Sequence, residues 1–149
     1  MKILETSSLD TLNAEKVRAL LETSFKKKLS DDYFSQSFST VFYEPDYKAI
    51  AIFQTINNIP YLDKFAVSKE HEGAGLGKAL WKQILQKFHV FVWRATPGNP
   101  FNRFYLKESH GCLKYSDWHI YWRNLDESDI LPVAQVVRAK PKTLYETTL

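Results

Sequence analysis

A glycine-rich loop in the middle of the chain has the residue types and spacing needed to hold a phosphate group. Gly73, Gly75 and Gly77 lie between an apolar strand pattern and an amphipathic helix pattern. Glycine has no Cβ and readily adopts positive φ, so successive backbone N–H groups can point into one concavity. The positive dipole end of the following helix would add to the same anion site. The loop therefore predicts a ligand that carries a phosphate or diphosphate.

Two familiar phosphate-binding motifs do not fit this loop. A nucleotide P-loop ends in Gly-Lys-Ser/Thr, but Gly77 and Lys78 are followed by Ala79, which has no hydroxyl for Mg²⁺. A dinucleotide-binding fingerprint needs GxGxxG, whereas the glycines here read GxGxG. A glycine-rich turn that only packs a helix on a strand is the structural alternative.

The loop resembles motif A of the GNAT acetyltransferases, which has the form Gln/Arg-x-x-Gly-x-Gly/Ala and holds the diphosphate of acetyl-CoA. This chain has Glu72 where the family usually has Gln or Arg, and Lys69 and Lys78 are the nearby cations that can neutralise it. The resemblance implies acetyl-CoA as co-substrate and no metal. The cofactor contacts that it implies are Phe65, Ala66, Val67, Glu72, Gly73, Ala74, Gly75, Leu76, Gly77 and Lys78.

Three further stretches are similar to the acetyltransferase domain of the vertebrate-type and bifunctional N-acetylglutamate synthases. They are SFKKKLSDDY from Ser24, YLDKFAVS from Tyr61 and WRATPGNPFNRFYLKESHG from Trp93, and the similarity extends from about Val17 to Leu125. The resemblance implies direct transfer of an acetyl group to the α-amino group of L-glutamate, as in arginine biosynthesis. In those relatives the domain follows an amino-acid kinase domain, so we expect either a free-standing version or an excised domain.

Acetyl transfer from a thioester to an amine needs a polarised carbonyl, a neutral amine and a proton for the leaving thiolate. The resemblance implies that Tyr105 is the general acid and that Tyr61 orients the amine or relays its proton through water. A phenol with a reference pKa of about 10 is a suitable proton donor to a thiolate. Packing in the core is the alternative for both tyrosines.

Glutamate carries two carboxylates, so its site needs cations. The resemblance implies Lys27, Lys64, Arg94 and Asn99 as acceptor-binding residues, with the register of the first open by one within a lysine run. A guanidinium can bind a carboxylate through two parallel hydrogen bonds. The related domains have a second arginine where this chain has Thr96. Losing one charge-assisted contact costs about 1.5 to 3 kcal/mol, so the acceptor is either glutamate with another partner or a different amine.

Composition agrees with a single domain that binds small anionic molecules. The chain has 149 residues, 44% of them hydrophobic, and a formal net charge of +3. Basic residues form no long stripe, which argues against nucleic acid as a partner. Cys112 is the one cysteine, which excludes an internal disulfide and offers no metal-binding set. The absence of a long apolar run predicts no membrane span and a cytoplasmic location.

Hydrophobic periodicity and turn residues predict the following order of elements. A helix with apolar positions from Val17 to Phe25 and N-cap Asn13 comes first, and strands over 40–43, 49–56 and 61–67 follow it, the last two separated by an Asn57-Asn58 turn. Next come a helix that buries Leu80, Ile84 and Phe88 and ends near His89, and a parallel strand over 90–95. A short helix capped by Asn99, with Gly111 at its stop, and a hairpin of 114–115 with 118–122 complete the order.

This order is the α/β layout of the GNAT acyltransferase fold, with a mixed sheet in a single domain. We expect that domain over residues 1–125 and a C-terminal extension over 126–149, in which 131–137 forms an edge strand or covers a partner and 139–149 is a flexible tail. A homodimer and association with an amino-acid kinase domain are the two expected assemblies. Two other functions remain open, namely a GNAT enzyme for another small amine or amino acid and a catalytically silent regulatory or interaction domain.

Overall fold

The computed structural model describes residues 2–147 of the chain. Within that range the strands and helices are β1 (Leu4–Thr6), α1 (Ala14–Phe25), β2 (Lys28–Leu29), β3 (Thr40–Tyr43), β4 (Ala49–Ile56), β5 (Ile59–Val67), α2 (Leu76–Lys87), β6 (Phe91–Ala95), α3 (Asn102–Glu108), β7 (Gly111–Lys114), β8 (His119–Arg123), α4 (Ile130–Ala139) and β9 (Leu144–Tyr145).

The first of two compact units comprises residues 2–54, 64–87 and 141–147 of the described chain. Its strands run in the order β1-β3-β4 and pair antiparallel, with Leu4 opposite Tyr43 and Thr40 opposite Phe53. Its core is closed by helix α1, and these buried side chains form it: Val17, Leu20, Leu21, Leu29, Tyr33, Val41, Ile50 and Ile52. Burying each large apolar side chain stabilises the fold by about 1.5 to 3 kcal/mol.

The second unit comprises residues 55–63 and 88–140, and its strands run in the order β5-β6-β8-β7. Strands β5 and β6 are parallel, with Tyr61 opposite Val92, because α2 connects them; β8 is antiparallel to both β6 and β7. Helix α4 packs on this sheet, and the core residues are Ile56, Tyr61, Val92, Ile120, Trp122, Val133, Ala134 and Val137. Parallel and antiparallel pairs together make the mixed sheet that the sequence predicts.

Local sequence signals place several boundaries correctly. The Asn13 side chain accepts a hydrogen bond from the Lys16 N–H and caps α1, as predicted. Asn57 and Asn58 have φ values of 50° and 64°, which is the left-handed geometry of a tight hairpin turn between β4 and β5. The prediction of a parallel strand after α2 is also confirmed by the pairing of β6.

Three predicted details are wrong. Helix α2 ends at Lys87, so Phe88 lies beyond the helix and is half-buried instead of buried on its face. Helix α3 begins at Asn102, three residues after the predicted cap at Asn99. Gly111 does not end that helix but begins β7, where a Cβ would collide with the Trp122 indole; a close packing contact therefore requires glycine here.

The C-terminal extension differs most from the prediction. Residues 131–137 form part of helix α4 and not an edge strand, because Val133, Ala134 and Val137 are buried at a helical spacing while Leu131 and Val136 are exposed. The predicted flexible tail over 139–149 contains β9, which pairs with β2, and its residues 148–149 lie outside the described range. The domain boundary at residue 125 stays a prediction. No helix within residues 2–147 combines the length and apolar character needed to span a bilayer.

Candidate functional site

The glycine loop turns the chain from the end of β5 into α2. Gly73 and Gly75 have φ values of 86° and 83°, which a residue with a Cβ adopts only with strain. Gly77 differs from the expectation, because it lies inside α2. A Cβ at Gly77 would meet Val67 Cγ2 at 3.6 Å, an ordinary contact distance, so helix packing alone does not require glycine there.

The hydrogen bonds of the loop show which amides turn inward. The Ala74 N–H donates to His71 O at 3.1 Å and the Glu72 N–H donates to Lys69 O at 3.4 Å. The first hydrogen bond inside α2 joins the Ala79 N–H to Gly75 O at 3.0 Å. Since the first N–H groups of a helix point beyond its N-terminus, the amides of residues 75–78 face the loop opening.

Charges of both signs surround the loop. Glu72 is exposed at its start, and Lys69 precedes it by one turn. The pKa of Lys69 is lowered, first by a hydrogen bond with Lys26, then by desolvation and by the like charge of Lys26, while the Glu72 carboxylate acts in the opposite direction. The positive charge of Lys26 beside Lys69 favours an anion nearby, and the Glu72 carboxylate is one such group.

The last residues of β5 form a buried support for the loop. Phe65, Ala66 and Val67 are at most 4% exposed. Phe65 packs edge-to-face on Trp81 of α2 with ring centroids 5.6 Å apart, and the Ser24 hydroxyl of α1 donates to Val67 O at 3.1 Å. Strand, loop and helix are therefore fixed to one another within the first unit.

Tyr105 lies on α3 in an aromatic cluster of the second unit. Its ring meets Trp93 edge-to-face at 5.7 Å and Tyr121 at 5.6 Å, and Trp93 itself stacks on Tyr121 at 5.4 Å. Burial, and then the neighbouring Tyr121, raise the pKa of Tyr105 above its ordinary value. The phenol therefore stays protonated at neutral pH, as a proton donor must before transfer.

Tyr61 is a second buried phenol, on β5. Burial and then the charge of Asp63 raise its pKa, while Arg94 lowers it through its charge and a hydrogen bond. The Lys140 ammonium lies 5.2 Å from the centroid of the Tyr61 ring. One carboxylate, one guanidinium and one ammonium thus act on the Tyr61 phenol.

Arg94 has structural partners that the sequence did not predict. Its Nη1 donates to Val137 O at 2.9 Å and to Lys140 O at 2.8 Å, and its guanidinium stacks on the Trp118 ring at 3.8 Å. These carbonyls end helix α4, where a cation is favoured by the helix dipole. Arg94 therefore anchors α4, in addition to any contact with a ligand.

The two other predicted cations also contact the C-terminal segment. Lys64 is buried, donates to Thr143 Oγ1 at 2.7 Å and lies 5.1 Å from the Tyr33 ring centroid. Lys27 lies 3.6 Å from the Glu146 carboxylate, whose side chain is 82% exposed, so that ion pair contributes little to stability.

Asn99 is used by a local turn. Its Oδ1 accepts a hydrogen bond from the Phe101 N–H at 2.8 Å, so its side chain shapes the approach to α3 instead of capping it. Asn102, which the sequence analysis did not single out, organises the same region: its Nδ2 donates to Thr96 O at 2.9 Å and its Oδ1 accepts from the Tyr121 hydroxyl at 2.9 Å. Its place three residues before Tyr105 in the stretch WRATPGNPFNRFYLKESHG was the available signal.

The fold is that of the GNAT acetyltransferases. The N-acetylglutamate synthase of Neisseria gonorrhoeae, solved in complex with coenzyme A and N-acetyl-glutamate, superposes with a TM-score of 0.60 at 12% identity over 85% of this chain and 36% of its own. At that identity the likeness shows the fold alone. Among residues 2–147 no group of three or more His, Cys, Asp or Glu side chains is placed to hold a metal ion.

Sequence comparison identifies the family. The family model of the N-acetyltransferase (NAT) of N-acetylglutamate synthase matches residues 4–140, and the chain belongs to that family. It is 33% identical to the mitochondrial N-acetylglutamate synthase of Homo sapiens over 97% of its length and 31% identical to the acetylglutamate kinase of Xylella fastidiosa over 83%. The chain spans 28% and 30% of those two proteins.

Proposed function

We propose that this chain transfers the acetyl group of acetyl-CoA to the α-amino group of L-glutamate. The observation that carries the proposal is the glycine loop between β5 and α2 in a chain of the NAT family, with Gly73 and Gly75 at positive φ. The solved relative from Neisseria gonorrhoeae binds coenzyme A and N-acetyl-glutamate, which supports the same ligands here.

Coenzyme A is held mainly by backbone groups in this proposal. Its diphosphate accepts hydrogen bonds from the amides of Gly73, Gly75, Leu76, Gly77 and Lys78, since those of Glu72 and Ala74 already donate within the loop. Lys26 and Lys69 add positive charge, and the backbone of residues 65–67 supports the thioester carbonyl.

The reaction needs one proton to leave the attacking amine and one proton to reach the leaving thiolate. The neutral glutamate amine attacks the thioester carbon, the tetrahedral intermediate collapses, and the thiolate of coenzyme A leaves. Tyr105 donates a proton to that thiolate. Tyr61 keeps its own proton at neutral pH because burial raises its pKa, so it orients the amine or relays the amine proton through water instead of acting as an anionic base.

The acceptor is bound by cations in this proposal. Arg94 lies on β6, Lys64 lies on β5, Lys27 follows α1 and Asn99 precedes α3. Their present partners come from the backbone and from the C-terminal segment, so glutamate binding requires that a carboxylate competes with these contacts or shares them.

A second candidate is acetylation of another small amine or amino acid that carries fewer carboxylates than glutamate. One observation favours it. Arg94 Nη1 already donates hydrogen bonds to two carbonyl groups, which leaves this side chain with fewer donors for a carboxylate of the acceptor. The proposed assembly is either a homodimer or a complex with an amino-acid kinase domain, and the proposed location is cytoplasmic. The curated relatives include proteins named for a mitochondrial location and for a kinase.

Calorimetry with coenzyme A, followed by an acceptor screen, tests the proposal. We expect saturable heat with coenzyme A and glutamate-dependent release of free thiol, with one N-acetylglutamate formed per thiol. Thiol release with other amines but not with glutamate would favour the second candidate. Absence of heat with coenzyme A would contradict both and indicate a catalytically silent domain.

A further inference from the structure

We infer that Lys140 is a binding residue for one carboxylate of the acceptor, an inference that rests on the proposed function. Lys140 is the C-cap residue that directly follows helix α4, and its ammonium lies over the Tyr61 ring in the second unit. The sequence motifs give no indication of this role, because the residue lies far along the chain from every predicted site residue.

The backbone of Lys140 is fixed in two ways. Its N–H donates to Val137 O at 3.3 Å and its carbonyl accepts from Arg94 Nη1 at 2.8 Å. The side chain then extends from a defined point, and its ammonium reaches 5.2 Å from the Tyr61 ring centroid, a distance at which a cation is attracted to an aromatic face. Lys140 is half-buried, so its ammonium is screened less than a surface charge.

The charges around Tyr61 favour an incoming anion. Arg94 and Lys140 supply two positive charges, and Asp63 supplies one negative charge that acts on the same phenol. Glutamate needs countercharges for two carboxylates, and a cluster with an excess positive charge beside Tyr61 provides one.

Arg94 and Lys140 differ in how they can respond to a ligand. The Arg94 fork is rigid, and its Nη1 already donates to two helix-ending carbonyls. A lysine ammonium has three donors on a flexible stem, so it can donate to a carboxylate near the Tyr61 ring without moving the backbone. The Lys140 side chain can therefore change its conformation to meet a ligand, whereas Arg94 fixes the backbone of Lys140 through its carbonyl.

The test compares Lys140→Met, which keeps the length of the side chain, with Lys140→Arg, which keeps the charge, and with Lys142→Met, which removes an exposed charge from the same segment. Steady-state kinetics use acetyl-CoA with glutamate, glutamine or glutamate α-amide, the last two each lacking one carboxylate. Calorimetry with coenzyme A shows that each variant is folded.

We expect Lys140→Met to raise the KM for glutamate roughly tenfold to hundredfold. The KM for acetyl-CoA should stay within about twofold, Lys140→Arg should restore most of the affinity, and Lys142→Met should match the unmodified protein. For the analogue that lacks the carboxylate bound by Lys140, the unmodified protein and Lys140→Met should have the same KM.

An unchanged glutamate KM in Lys140→Met, or an equal loss for all three acceptors, would overturn the inference while leaving the proposed function intact. An equal loss in Lys142→Met would overturn it as well, because the effect would then come from the charge of the whole segment. If the unmodified protein does not acetylate glutamate, the proposed function and this inference fail together.

Discussion

Arg94 Nη1 donates a hydrogen bond to the carbonyl oxygen of Lys140 at 2.8 Å, which joins strand β6 to the residue that directly follows helix α4. The same nitrogen donates to Val137 O at 2.9 Å. A residue that sequence motifs assign to ligand binding thus also stabilises the fold. Its replacement should affect stability and acceptor affinity together.

Replacing Arg94 with Ala should lower the free energy of unfolding by about 2 to 3 kcal/mol, because two helix-ending carbonyls lose a charged donor. The KM for glutamate should rise sharply in the same variant. Urea denaturation and steady-state kinetics measure the two effects. Arg138→Ala is the matched control, since its ion pair with Asp117 is exposed and should contribute less than about 1 kcal/mol. An unchanged glutamate KM in Arg94→Ala would remove Arg94 from the acceptor site.

Gly73→Ala should weaken coenzyme A binding about tenfold, because alanine at a φ of 86° costs roughly 1 to 2 kcal/mol and shifts the loop toward another conformation. Gly98→Ala is an informative control: neither glycine has an atom within 4 Å of an added Cβ, and only Gly73 has a left-handed backbone. Calorimetry with coenzyme A compares the two. Equal affinity in both variants would show that the loop conformation is not needed for binding.

Tyr105→Phe should lower kcat by about a hundredfold or more if its hydroxyl protonates the leaving thiolate. The KM for glutamate and the affinity for coenzyme A should change little, since the ring contacts with Trp93 and Tyr121 are kept. Tyr43→Phe, in the other unit, should leave all three constants unchanged. A Tyr105→Phe protein with full kcat would assign Tyr105 to core packing alone.

The buried tyrosines also predict how stability depends on pH. Burial raises the pKa of Tyr105 above the 10.0 of an exposed phenol, so the unfolded chain loses this proton at a lower pH than the folded protein. The stabilisation is complete below about pH 10 and is lost as the pH rises toward the folded pKa.

Urea denaturation at a series of pH values from 8 to 11.5 measures this effect. Above pH 10 the free energy of unfolding should fall with a slope of up to about 1.4 kcal/mol per pH unit for each such tyrosine. Tyr105→Phe should make the fall less steep, whereas Tyr145→Phe, at a side chain that is 50% exposed, should leave it unchanged. An identical slope in the two variants would show that Tyr105 titrates as an exposed phenol.

Local signals in the sequence predict the central elements well because their causes are local. The cap at Asn13, the turn at Asn57 and Asn58, and the positive φ of Gly73 and Gly75 each depend on a few neighbouring residues. The parallel pairing of β5 and β6 follows from a helix between two strands.

The missed features depend on contacts between residues distant in sequence. Gly111 is needed for its approach to Trp122, not as a helix stop, and Asn99 shapes a turn because Asn102 begins the helix. The cluster of Tyr61, Arg94 and Lys140 exists only after α4 packs on the sheet, so no spacing rule could assign Lys140 to the site.

A crystal structure of the protein with coenzyme A and N-acetylglutamate tests the central claim most directly. We predict diphosphate oxygens within hydrogen-bonding distance of the amides of Gly75, Leu76 and Gly77, and a carboxylate of N-acetylglutamate on a cation of the cluster around Tyr61. Coenzyme A bound elsewhere at saturating concentration, with the glycine loop free of ligand, would contradict the assignment of this chain as an acetyl-CoA-dependent transferase that uses the loop.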